Sequence, residues 1–280
     1  MMRRLSAYRD QLLLYLAARA LLARRRRRRP EEPGPRPVIW SPEPAYLESI
    51  LDRLDGWFPR ECPLCGYRGY FRAYGVPPRF DARCPECGSI ERHRLVALWL
   101  AGNHGKIDGR RVLHFAPEPA LRRLFQPLAS QYLSADVVPG KADRQLDITA
   151  IDLPSGSFDV ILCSHVLEHV DDARALEQLR RVLSPTGILL LLTPVVDAWD
   201  QTYENLSVAD EPNRWLHFGQ GDHVRYYGRD IVQRIAKAGF DVARWVAAEP
   251  QASRYGLVRG ETMYVATVRD SDSGVSCIDG

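Results

Sequence analysis

Phe158-Asp-Val-Ile-Leu-Cys-Ser-His-Val-Leu-Glu-His-Val170 runs into a charged stretch, Asp171–Leu183, and then into Ser184-Pro-Thr-Gly-Ile-Leu-Leu-Leu-Leu-Thr-Pro-Val195. Phe158–Cys163 is a short apolar run of strand formers, and it follows the turn residues Pro154, Ser155 and Gly156. In Asp171–Leu183 the apolar residues Ala173, Leu176, Leu179, Val182 and Leu183 recur at helical spacing, which predicts an amphipathic helix. Ser184–Gly187 is expected to close that helix. Ile188–Leu192 is a second apolar run without alternation. Two continuously apolar strands joined by an amphipathic helix make a βαβ unit in a parallel sheet covered on both faces.

Working outward, the same alternation continues in both directions. Arg111–Ala116, Gln131–Asp136 and Arg144–Ile148 are strand candidates upstream, with Ala120–Leu128 as a helix between the first two. Gly239–Val246 and Glu261–Arg269 add two strands downstream, preceded by a helix over Asp230–Ala238. The expected fold class is therefore α/β, a Rossmann-like sheet of seven strands.

Ahead of the sheet lie Cys62-Pro-Leu-Cys65 and Cys84-Pro-Glu-Cys87, each followed by glycine, with an aromatic hairpin candidate, Tyr67–Tyr74, between them. Paired Cys-x-x-Cys knuckles at this interval fit a zinc ribbon, so Cys62, Cys65, Cys84 and Cys87 are the expected ligands of a structural Zn2+. Four sulfurs leave no position for a reacting water. A redox dithiol would need one pair and leave the other unexplained. The other two cysteines are isolated, which argues against a disulfide scaffold and for a reducing, cytoplasmic setting.

Charge is uneven. Residues 1–30 carry ten arginines against one aspartate, +9, so the rest of the chain carries −6 of the total of +3. A basic tail on an acidic body argues against a protein that coats nucleic acid. Residues 11–23 are expected to be helical, yet as a helix they span roughly 20 Å, too short to cross a bilayer. With Arg24–Arg29 they offer peripheral attachment to a membrane or a protein partner; a solvated extension is the plainer reading. The expected organisation is 1–44 basic helix and proline-rich linker, 45–95 zinc-ribbon module with a short helix over Ala45–Phe58, 96–270 the domain of the seven-stranded sheet and 271–280 tail. Ser89 is expected to cap a helix through Leu95–Leu100, with His93 on its exposed face.

The order of landmarks resembles the class I S-adenosylmethionine-dependent methyltransferases, in particular the small-molecule type carrying a His-Val-Leu-Glu-His segment. The likeness covers about residues 110–269 and is most specific in Phe158–Val170 and Arg181–Val195. It implies S-adenosyl-L-methionine as cofactor, with Asp136 on the ribose, Asp147 and Ile148 beside the adenine, and Ser164 and His165 along donor and acceptor. One place departs from the family pattern. Where a glycine-rich loop follows the first strand, this chain has His114-Phe-Ala-Pro-Glu-Pro-Ala. There His114 and Ala116 are expected to border the cofactor, Glu118 to contact its amino group, and Pro117 and Pro119 to stiffen the turn.

Trp215–Gly228 is polar, aromatic and glycine-rich, and sits where this fold carries its acceptor-side cover. His217, Asp222, His223, Arg225 and Tyr226 there supply the makings of a base, its orienter and an anion clamp; a network that only holds the lid is the plainer alternative. The resulting expectation is O-methylation of a small-molecule, natural-product or glycan acceptor, with His223 as first candidate base, His169 as second and Arg225 beside them. Two rivals stand: an rRNA or tRNA base methyltransferase gripping RNA through the ribbon, and a non-catalytic scaffold. His165-x-x-Glu168-His169 also matches a zinc-peptidase pattern, but there both histidines must sit on one helix, and His165 is expected to end a strand.

Overall fold

The computed structural model describes residues 49–51, 53–75, 77–205 and 207–269. The expected helix over 11–23, the arginine run, the proline-rich linker and the tail lie outside the described residues. In chain order the elements are β1 Asp55–Glu61, β2 Arg68–Tyr74, β3 Arg79–Arg83, α1 Glu91–Asn103, β4 Arg111–Phe115, α2 Pro119–Phe125, β5 Gln131–Asp136, β6 Arg144–Gln145, β7 Phe158–Ser164, α3 Asp172–Val182 and β8 Leu183–Leu192. They continue with β9 Tyr203–Glu204, α4 Glu211–Phe218, β10 Arg225–Tyr226, α5 Ile231–Lys237, β11 Phe240–Val246, α6 Gln251–Tyr255 and β12 Thr262–Val268.

The main sheet has seven strands in the order β11-β12-β8-β7-β4-β5-β6. The pairs from β8 to β6 are parallel, while β12 runs antiparallel to both of its neighbours. This is a Rossmann-like α/β sheet, and strand alternation sorts its side chains onto two faces. Leu113, Phe115, Ile161, Cys163, Leu189 and Leu191 face one core, closed by Leu176, Leu179 and Val182 of α3 and by Ile231 and Ile235 of α5. Val112, Val160, Leu162, Ile188, Leu190 and Met263 face the other, closed by Leu95, Val96 and Trp99 of α1 and by Leu121 and Phe125 of α2. Both faces are buried, which is why the strands read as unbroken apolar runs.

Several local expectations are corrected. On α3 the buried small residue is Ala175, and Ala173 is exposed. The helix needs no separate closing turn, because β8 begins at Leu183 and carries Ser184–Gly187 within the strand. Of the helix expected over Ala45–Phe58, residues 49–51 are helical, while Asp55–Glu61 is a strand paired with β2. Gly56 lies so close to β2 that a β-carbon there would sit 2.7 Å from the Phe71 carbonyl oxygen, an approach open only to glycine. Ile90, not Ser89, precedes α1 as its cap residue, and the Ser89 hydroxyl lies 3.3 Å from Cys62 Sγ. His93 is buried, with Nδ1 accepting the Ile90 N–H and Nε2 2.8 Å from Glu118.

The described residues form one compact unit, and the boundary expected at residue 95 falls inside α1. The reason is Arg94, which is 0% exposed. Its guanidinium donates to the carbonyls of Ala82 and Ser89 in the cysteine module, and of Tyr255 and Gly256 after α6. It also lies over the Phe71 ring at 4.6 Å. One side chain thus satisfies backbone acceptors from both parts, and α1 is packed between module and sheet with little exposed face.

Candidate functional site

The C-terminal ends of β4, β5 and β7 open into a cavity of about 620 Å³. Its wall includes Ala116, Asp136, Asp147, Ile148, His165 and His169, and it is otherwise largely apolar through Phe115, Ala135, Leu146, Val166 and Val170. The volume suits a small-molecule or cofactor site. Asp136 ends β5 with one carboxylate oxygen accepting the Val138 N–H at 2.8 Å. Asp147 is braced by the N–H and hydroxyl of Thr149, each at 2.8 Å. A carboxylate at a strand end beside an apolar slot is the donor set a nucleoside needs, with the acid for the sugar hydroxyls and the slot for the base. The entry turn leaves this crevice open. Ala116 adopts φ +47°, the left-handed region, so alanine makes the bend that glycine ordinarily makes.

His165, directly after β7, also holds a left-handed backbone, φ +54°. Its Nδ1 lies 3.0 Å from a carboxylate oxygen of Glu168. The other oxygen of Glu168 accepts the Thr193 hydroxyl at 2.9 Å. Glu168 is 1% exposed; burial pushes its carboxyl up, but the hydrogen bond and charge of His165 outweigh that and hold it below the ordinary value. A second cavity of about 290 Å³ lies past the end of β8, bordered by Thr193, Asp197, Arg259 and Glu261. His165 is on the wall of both cavities. Burial pushes the Glu261 carboxyl up to about 7.

Other expected site residues lie elsewhere. His114 points with Val112 to the opposite face of the sheet, is fully buried, and meets the Tyr132 hydroxyl at 2.7 Å. Burial lowers its pKa to about 4, and it is not on the wall of the larger cavity. Glu118 sits behind that wall, where its carboxylate takes Arg92, His93 Nε2 and the Ser164 hydroxyl (2.9 Å). Burial alone would raise its pKa; His93 and Arg92 reverse this and hold it far down. Ser164 therefore serves Glu118 and does not border the cavity.

The lid is less irregular than expected. It contains the end of α4, stopped by Gly219 in the left-handed region, and β10, paired with β9. Asp222 reaches the wall of the larger cavity. His217 is bound to the Tyr203 hydroxyl at 2.6 Å. Arg225 is buried and donates to the carbonyls of Leu167 and Val170 and to Glu204, so it braces the turn after β7 and is no anion clamp at either cavity. His223 is 5% exposed and stands edge-on to His169 at 4.7 Å between ring centres. Its pKa is lowered by burial and by His169. His165 and His169 do not share a helix: the first follows β7 and the second closes a 3₁₀ turn, Leu167–His169.

In the cysteine module, Cys62 and Cys87 sulfurs lie 3.5 Å apart and Cys65 and Cys84 sulfurs 3.7 Å apart. All four lie within 4.8 Å of one another. A tetrahedron of about 2.3 Å zinc–sulfur bonds has edges of about 3.8 Å. Gly66 and Gly88, at φ +77° and +69°, close the knuckles by donating to Cys62 and Cys84 carbonyls. The four residues fit a closed metal site.

The contacts of Glu168 with His165 and Thr193 are not among those that the sequence predicts. The available signal was the spacing of Glu168 three residues after His165, which a tight turn converts into a contact.

A family model matches this chain, and solved structures are similar to part of it. The family model described as "Methyltransferase domain" matches residues 55–244, a span that takes in the cysteine module. Among solved structures, an S-adenosylmethionine dependent methyltransferase from Mesorhizobium loti is 17% identical, with 62% of this chain and 98% of that one covered at a TM-score of 0.48. The YcgJ protein of Bacillus subtilis is 15% identical, covering 64% and 100%, TM-score 0.45. A Burkholderia thailandensis 1,6-didemethyltoxoflavin-N1-methyltransferase, solved with S-adenosylhomocysteine, is 16% identical, covering 64% and 77%, TM-score 0.42. No curated protein sequence matches the chain.

Proposed function

Because this chain belongs to the methyltransferase-domain family, we propose that it transfers a methyl group from S-adenosylmethionine, held in the larger cavity, to a hydroxyl of a small polar or glycan-like acceptor in the smaller one. The observation that carries this reading is the position of His165 on both walls with a buried carboxylate behind it.

When bound, the donor supplies an electrophilic methyl on a sulfonium. Asp136 is read as the ribose ligand, with Asp147 and Ile148 flanking the base. His165 takes the part of general base in place of His223, which stands on neither wall. Glu168 accepts the Nδ1 proton of His165, fixing the tautomer in which Nε2 carries the lone pair. The proton leaving the acceptor hydroxyl passes to that Nε2 as its oxygen gains the methyl. A hydroxyl is a poor nucleophile while protonated, so the base contributes to the chemical step, and alignment of the two cavities contributes the rest. The cysteine quartet is read as a structural zinc site.

Calorimetry with S-adenosylhomocysteine tests the donor half. Saturable binding that weakens at least tenfold in Asp136→Ala is expected; no binding to the unmodified chain supports the scaffold alternative and overturns the proposal. Transfer of a labelled donor methyl to a panel of hydroxylated small molecules and glycans tests the acceptor half. Label entering RNA instead would overturn the acceptor class.

A further inference from the structure

Glu168, His169 and His223 come together from two parts of the chain, the turn after β7 and the lid. Each offers a ligand atom within 4.8 Å of the others. We infer that these three residues form a second metal site, a two-histidine, one-carboxylate set for a divalent transition ion, separate from the cysteine quartet.

Three observations carry it. His223 is 5% exposed, and its Nδ1 meets no hydrogen-bond partner, which is unusual for a buried imidazole that folding has not otherwise used. The flanking groups are arranged as orienters. The Nδ1 of His169 lies 3.3 Å from both the backbone oxygen and the carboxylate of Asp222, leaving its Nε2 available. The Glu168 oxygens are positioned by His165 and Thr193. Outer partners of this kind fix the rings and carboxylates of metal ligands elsewhere. Lastly, the ligand types are nitrogen and oxygen with no sulfur, which suits Zn2+ or Fe2+ and does not suit Ca2+ or Mg2+.

Three protein ligands leave at least one coordination position open. His169 and Asp222 both border the larger cavity, so that position would be filled by water or by an oxygen ligand entering there. The cluster is distinct from the zinc-peptidase pattern, since His165 is an orienter here and His223 is the ligand. The site stands independently of the methyl-donor reading, because its test needs no donor.

The test uses the full chain, stripped with a chelator and titrated with Co2+. Expected is one equivalent with visible bands of nitrogen and oxygen ligation, lacking the intense sulfur-to-cobalt charge transfer of a thiolate site. That equivalent should disappear in His223→Ala and in His169→Ala, with elemental analysis of the zinc-loaded proteins falling by one ion per chain. A titration of the unmodified chain showing only sulfur-bound cobalt, or none, overturns the inference. So does retention of the sulfur-free equivalent in both variants. The first readout requires no variant, so a variant that fails to fold leaves the inference still decidable.

Discussion

The imidazole of His165 and the carboxylate of Glu168 meet at 3.0 Å, with the acid almost wholly buried and the ring on the wall of two cavities. An oriented base of this type predicts separable effects. Glu168→Gln should cut turnover about tenfold to a hundredfold while changing S-adenosylhomocysteine affinity little. His165→Ala should lose about a hundredfold or more. Steady-state kinetics beside calorimetry checks both, and a Glu168→Gln enzyme with unaltered turnover would sink the pairing as functional.

His114 makes stability depend on pH. Burial holds its pKa at about 4 in the fold, against about 6.5 in the unfolded chain, so the unfolded state binds the proton first. Stability from this group is therefore full above about pH 6.5 and declines as the pH falls toward 4, by on the order of 3 kcal/mol. Urea denaturation at pH 7 and pH 4.5, repeated in His114→Gln, should show that the variant loses much of this dependence.

Ala116 is held at φ +47° on the cavity wall. A left-handed residue with a side chain costs about 1–2 kcal/mol, and a β-branched one costs more. Ala116→Gly should therefore be within about 1 kcal/mol of the unmodified chain or better, since relief of strain opposes the entropy of glycine. Ala116→Val should both lower the melting temperature and weaken S-adenosylhomocysteine binding. Equal behaviour of the two variants in a thermal melt would contradict this.

A metal held by the cysteine quartet is expected to brace more than the module, so its removal should loosen more than the module. Chelation is expected to lower the melting temperature and to raise proteolysis at β1–β3 and also around α6, because Arg94 binds carbonyls in both places. Limited proteolysis before and after chelation reads this directly; cleavage confined to β1–β3 would count against the coupling.

Much of the fold was legible because the central strands are buried on two sides, and such strands announce themselves as apolar runs. Asp136 was legible as an acid at a strand end, whereas Asp147, expected within the strand Arg144–Ile148, lies in the loop after the shorter strand Arg144–Gln145. The orientation of His114 follows from strand parity, since it shares a face with Val112 and opposes Phe115, whereas the resemblance alone implies a place beside the cofactor. His93, flanked by arginines, is expected on an exposed face, but the module covers that side of α1 and buries it. The alignment of Glu168 with His165 and Thr193, and the meeting of His223 with His169, depend on how the turn after β7 and the lid fold over each other. No local spacing encodes that.

Arg94 gives the cysteine module a consequence beyond its own knuckles. A shortened gene product beginning at α2 would strip the cover from Leu95-facing sheet residues and leave the Tyr255 and Gly256 carbonyls without their cation. Trimming this protein to its sheet would thus yield a poorer folder rather than a minimal enzyme, because the segment before β12 is built to receive a cation from α1.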